Sequence, residues 1–168
     1  MSICKTVFLA FFLAAVFYGS VAAGGANGPS SCDYRHFGLD GSKFFLYMTK
    51  DTPYTGWSLW PGRGKTSPAR TPSPHGPLVT TYVNPAAQRS LGHKEGMAFG
   101  SLIVMENRSD DGKLTSLDAR IKIKGYHPAG GDWYWFHFAP DGAISAEGKA
   151  ASCLACHEQG RGNDFVMK

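Results

Sequence analysis

"ARIKIKGYHPAGGDWYWFHF", residues 119–138, contains two strand patterns, and they decide the fold class. In the first, Ile121 and Ile123 point one way and Arg120, Lys122 and Lys124 the other. A period of two with one apolar and one charged face is the pattern of a half-solvated antiparallel strand. In the second, every residue of "DWYWFHF" after Asp132 carries a ring, and the turn residues "APDG" close the run. The same period puts Tyr134, Phe136 and Phe138 on one face and Trp133, Trp135 and His137 on the other. Most of these rings must be core.

Working outward, "DDGK" before this stretch is a turn, and "GSLIVMEN" is a short apolar strand. "LVTTYV" is a further strand, rich in β-branched residues. It stops at Asn84-Pro85, which reads as a helix N-cap with proline in the first turn. "AAQRSL" fills that short helix and Gly92 ends it. Upstream, "WPGRGKTSPARTPSPHGP" breaks regular structure and reads as a long loop. "GSKFFLYMTKD" reads as a short helix with Phe44, Tyr47 and Met48 on one face. Near the end, "AEGKAASCLACHEQG" reads as helical, with Gly160 as its cap. The sum is α+β: mainly antiparallel β-sheet with a few short helices.

The 168 residues suffice for one domain with a modest core. Residues 1–23 carry one basic residue, an apolar run and Val21-Ala22-Ala23, the plan of a cleaved secretory signal peptide. Residues 24–56 form a lead-in and the short helix, and residues 57–168 the main domain, to which 34–56 also belong. Losing the signal removes Lys5 and no acid, so the mature chain is one unit less positive than the +4 of the whole. That charge is mild and scattered, which argues against nucleic acid as a partner. Cys4 leaves with the signal, so the mature chain keeps Cys32, Cys153 and Cys156, an odd count for an oxidising compartment.

Cys153, Cys156 and His157 form a C-x-x-C-H pattern. Thiols three apart share a helical face, where each can add to one vinyl group of a haem, and the following imidazole reaches the iron. A thioredoxin-like dithiol would sit near the N-terminus, after a βαβ strand. Zinc would need two further ligands at orderly spacing, and His36, His75, His93, His127 and His137 are scattered singly. One covalent haem c is therefore the reading, leaving Cys32 free or buried. Such attachment takes place outside the bacterial cytoplasm, which agrees with the signal. The strands exclude a four-helix cytochrome. Met167 in the terminal tail is a poor axial ligand for a small electron carrier.

"SPHGPLVTTYVN", "GSLIVMEN", "GYHPAGGDWYW", "PDG", "GKAASCLACH" and "NDFV", in this order from about Trp57 to Val166, resemble the cytochrome P-460 family. That family includes the β-sheet cytochromes c′, or c′-beta. The resemblance implies an antiparallel sheet, a homodimer and a periplasmic mono-haem site. It makes His157 the proximal iron ligand, opposite an open position that takes nitric oxide, or hydroxylamine in the P-460 enzymes. Those enzymes cross-link a lysine to the porphyrin within a Val-Lys-Glu step. Here the step is Val104-Met105-Glu106, and a thioether cannot form that link. The chain leans towards c′-beta.

Other candidates follow. Met105 reads as core or as a haem-edge contact. His137 reads as a hydrogen-bonded buried histidine, with a distal ligand or proton donor as the alternative. By analogy with the c′-beta phenylalanines, Phe136 is the candidate for the distal wall. His75 reads as a turn residue or a propionate neighbour, and Arg63, Arg70 and Arg89 are not separated as propionate partners. Lys122 and Lys124 read as solvated. The leading expectation is five-coordinate iron binding nitric oxide or related nitrogen oxides, with a redox protein as possible partner. The alternatives are a hydroxylamine or nitric oxide oxidoreductase, and a six-coordinate electron carrier using Met105, Met97 or His137. Whether the protein is an enzyme stays open.

Overall fold

A computed structural model describes residues 38–70 and 73–167. The signal segment, Cys4, Cys32 and His36 lie outside the described residues. The first helix, α1 (Gly41–Leu46), starts where the Asp40 carboxylate accepts a hydrogen bond from the Lys43 amide at 3.0 Å. It runs on through a π-turn at Tyr47–Asp51, and Phe44 and Met48 are fully buried. No helix among the described residues is long and apolar enough to cross a membrane.

Two short strands, β1 (Ser58–Leu59) and β2 (Ser67–Pro68), both pair with β3 (Leu78–Val83). The proline-rich stretch read as loop thus contributes one short strand, and Pro68 is tolerated there because it lies at a sheet edge. Asn84 caps α2 (Pro85–Ser90) by accepting from the Ala87 amide at 2.9 Å. The same oxygen accepts from Leu102 N, and its amide donates to Gly100 O, so one side chain ties the helix to the next strand. Gly92, at φ 84°, follows the helix end as its sequence position suggests.

The remaining strands are β4 (Leu102–Arg108), β5 (Leu114–Lys122), β6 (Trp133–Phe138) and β7 (Ile144–Gly148). Every pairing is antiparallel, and the main order is β1-β3-β4-β5-β6-β7. The chain then forms α3 (Ala151–His157) and a 3-10 segment, Glu158–Asn163. Of the stretch read as helical from Ala146 to Gly160, the first three residues close β7, only Ala151–His157 is α-helix, and Gly160 lies within the 3-10 segment rather than capping a helix. The fold is α+β, mainly antiparallel sheet with a few short helices.

The sheet has two unlike faces. Tyr82, Leu102, Val104, Leu117, Ile121, Phe136 and Phe138 pack on one face with Phe44, Met48 and Tyr54. Val83, Ile103, Trp133 and Trp135 lie on the other, under Ala87, Met97, Phe165 and Val166. The alternation in residues 119–124 is real, but its charged side is not solvated. Arg120 and Lys122 are 6% and 9% exposed, because the chain around Asp164–Val166 folds back over them. Only Lys124, beyond the end of β5, remains exposed.

Candidate functional site

Helix α3 carries the C-x-x-C-H residues on the second face. Cys153 packs against its apolar cluster and is half-buried, Cys156 is exposed, and both thiols are free. Burial first, and then the charge of Asp118, push the Cys153 thiol up. The strand before the helix, β7, pairs with β6, so the chain path itself brings α3 alongside Trp135.

His157 is the last residue of α3, and its ring lies 4.7 Å from that of Trp135. Its Nδ1 is 2.8 Å from the Phe165 carbonyl oxygen and 3.3 Å from Nη1 of Arg120. One nitrogen cannot both donate and accept in these two contacts. The carbonyl and the guanidinium decide which holds: the oxygen only accepts and the guanidinium only donates. The same Arg120 nitrogen already donates to Phe165 O at 2.8 Å. Nδ1–H therefore donates to the carbonyl, and the longer approach to Arg120 is mere proximity. Burial, and then the charge of Arg120, pull the imidazole down to about 4, so it is neutral at physiological pH. A neutral ring with Nδ1–H engaged has its lone pair on Nε2, the arrangement that metal-ligating histidines adopt.

The carbonyl itself is held in place from several sides. Asp164 and Phe165 both take left-handed backbone, at φ 58° each, a rare choice for residues with side chains. Phe165 N donates to Gly160 O at 2.8 Å, and Trp133 Nε1 donates to Asp164 O at 2.9 Å. The Asp164 carboxylate accepts from Met97 N at 2.7 Å and pairs with Lys122. These contacts explain why Lys122 is buried: its charge is met inside the fold.

Further along the same face, register places Met105 opposite Asp118, and Asp118 opposite His137. Asp118 accepts from His137 Nδ1 at 2.5 Å, His75 Nδ1 at 2.7 Å and Asn107 Nδ2 at 2.6 Å. Burial alone would raise its carboxyl, but the bonds from His137, His75 and Asn107 outweigh that and hold it well below the carboxylate range. In return the bond to Asp118 pushes the His137 imidazole up, against its burial. Both rings thereby keep Nε2 turned away from the carboxylate.

The candidates thus sort by face. Cys153, Cys156, His157, Met105, His75 and His137 share the second. Phe136 lies on the first, stacked on Phe44 at 4.3 Å, so the structure does not bring it together with His157. Arg70 lines a cavity of about 290 Å³ with Gly160 and Met167, beside the segment that holds His157. Arg89 lines a separate cavity of about 620 Å³ that includes Lys122 and Phe99. Sequence reasoning missed Arg120, Asp118 and the Phe165 carbonyl. Continuing the alternation of residues 119–124 back by one residue would have put Asp118 on the face of Arg120.

Does this face suit a haem? The donor set does: one neutral, oriented imidazole and two free thiols on a single short helix. So does an orphan. Trp135 Nε1 is buried next to His157 and has no hydrogen-bond partner among the described residues. A buried N–H without an acceptor is rare, and the acceptor oxygens of a bound group would satisfy it. The family model described as Cytochrome P460 matches residues 57–168. No curated protein matches the chain.

Proposed function

The chain belongs to the cytochrome P460 family, a haem-binding class, and we propose that it is a mono-haem c-type cytochrome of the c′-beta kind that binds nitric oxide or related nitrogen oxides. Cys153 and Cys156 would hold the haem, and Nε2 of His157 would be its protein ligand. The observation that carries this reading is the Nδ1–H bond of His157 to the Phe165 carbonyl, which fixes a neutral ring at the end of the cysteine-bearing helix. The protein is periplasmic, a homodimer, and exchanges electrons with a redox protein.

When bound, the haem would supply small-ligand binding and one-electron redox chemistry. The chain's own residues do the rest. Trp135 packs against the imidazole and limits its rotation. Trp133, Ile103 and Val83 keep water from this part of the face. By the family resemblance Met105 stands where the cross-linking enzymes carry their lysine, and its thioether in place of an amine supports the c′-beta assignment over those enzymes.

One observation favours a second reading, oxidation of hydroxylamine or nitric oxide. The His137–Asp118 pair, one strand across from Met105, is a histidine with a raised affinity for protons on the same sheet face. Such a group can accept the protons that oxidation of an N–H or O–H compound releases.

Optical spectroscopy of the purified holoprotein tests the proposal. The expected result is a high-spin ferrous spectrum that shifts on adding nitric oxide or carbon monoxide. A low-spin spectrum indifferent to both gases would overturn it. Hydroxylamine turnover with an electron acceptor would select the second reading.

A further inference from the structure

Arg120 is the least expected charge in the molecule. It sits in the middle of a sheet face, 6% exposed, with no carboxylate in hydrogen-bond contact among the described residues. Its guanidinium carbon lies 4.5 Å from the ring centre of Trp133 and 4.9 Å from that of Trp135, so two indoles replace the water it has lost. The nearby Asp164 carboxylate opposes its charge but is already paired with Lys122, so the burial of the guanidinium is only partly compensated. A purely structural role would be served at lower cost by an apolar residue.

Its hydrogen bond explains what it does. Nη1 donates at 2.8 Å to the Phe165 carbonyl that also accepts from His157 Nδ1–H at 2.8 Å. A carbonyl that serves a cation is a weaker acceptor for a second donor. The imidazole therefore keeps its Nδ1 proton firmly, and Nε2 stays a modest electron donor. The cation is also 3.3 Å from the ring, where a positive charge favours the iron state that carries one more electron.

We propose that Arg120 is a positioning residue for the iron ligand: through the shared Phe165 carbonyl and its own charge it weakens His157 as a donor and raises the reduction potential of the site. The inference rests on the haem reading given above. It concerns how strongly His157 would bind an iron and not which gas that iron would take. It also accounts for Trp133 and Trp135 together, since they form the walls that hold the guanidinium against the carbonyl.

The test uses the holoprotein and its Arg120→Leu and Arg120→Lys variants, with haem content checked first under denaturing conditions. Wild-type protein without covalent haem would sink the attachment reading itself, a failure separate from this one. With haem present, Arg120→Leu is expected to lower the midpoint potential by about 59 mV, a tenfold change for one electron. It should also raise the ferrous iron–histidine stretching frequency in resonance Raman spectra. Arg120→Lys, which keeps the charge, should recover most of the potential. Unchanged potential and stretching frequency in both variants would overturn the proposal. If the leucine variant does not fold, the wild type alone still decides. Its stretching frequency must fall in the range of neutral, weakly hydrogen-bonded imidazole, and an imidazolate-like value would overturn the assignment.

Discussion

The two faces of one sheet solve opposite problems. On the first, Phe44, Phe136 and Phe138 stack, with ring centres 4.3 to 6.4 Å apart, and aliphatic side chains fill in around them. The one buried carboxylate among the described residues there, Glu106, is met by Tyr54 and Arg108. On the second, Asp118, Arg120, Lys122 and Asp164 are all buried or nearly so, and each is held by named partners. Strands β5 and β6 contribute to both faces, residue by residue in alternation. The difference teaches that stability and site chemistry are divided by side-chain parity and not by domain or loop. The apolar face anchors the sheet, and the opposite face can then carry charges that would destabilise a smaller fold.

That division can be broken from either side. The largest effect is expected for Phe136→Ala, which deletes a fully buried ring and should cost about 3–5 kcal/mol in denaturant unfolding. The ferrous spectrum of the folded fraction should stay as in the wild type. A spectral change as large as that from replacing a residue of the second face would erase the distinction.

Asp118→Ala comes next. It leaves the Nδ1 donors of His75 and His137 without their acceptor. With the rings 23% and 38% exposed, water can replace it in part, and the cost should be about 1 kcal/mol. Its pH dependence has a definite sign. Asp118 is depressed in the fold, so its contribution is present above the unfolded carboxyl pKa of about 3.9 and fades as pH falls below it. His137 is raised, so its contribution is complete below about 6.5 and is lost as pH climbs through its folded value. The difference between variant and wild type should therefore peak between these limits. A flat difference from pH 3 to 9, measured by chemical denaturation, would show that the contact is not ionic.

The smallest effect sharpens the comparison within a single strand pattern. Lys124 continues the parity of Arg120 and Lys122 but is exposed, and Lys124→Ala should change stability by less than about 0.5 kcal/mol. A loss beyond 1 kcal/mol in thermal or denaturant melts would mean that the charged row acts as a unit.

The same row separates what is encoded locally from what is not. The alternation of Arg120, Ile121, Lys122 and Ile123 gave strand type and side-chain parity correctly, since both follow from the pleat. It could not give burial, because the cover comes from Asp164–Val166, more than forty residues later, and no local pattern encodes that return. Parity also grouped Phe136 with Tyr134 and Phe138, but nothing local says which face receives the α3 helix. Asn84-Pro85 and Gly92 were legible as helix limits because capping is decided within a few residues. The pairing of Ser67–Pro68 with β3 was hidden by prolines that ordinarily exclude a strand, and are admitted only at an edge.

The acceptor for the His157 N–H lies eight residues beyond the ring it orients. On the proposed haem reading, the C-x-x-C-H motif would supply the point of attachment, while the orientation of the imidazole is set by residues outside the motif. A change at Asp164 or Phe165 would therefore disturb the ligand without touching any residue of the motif.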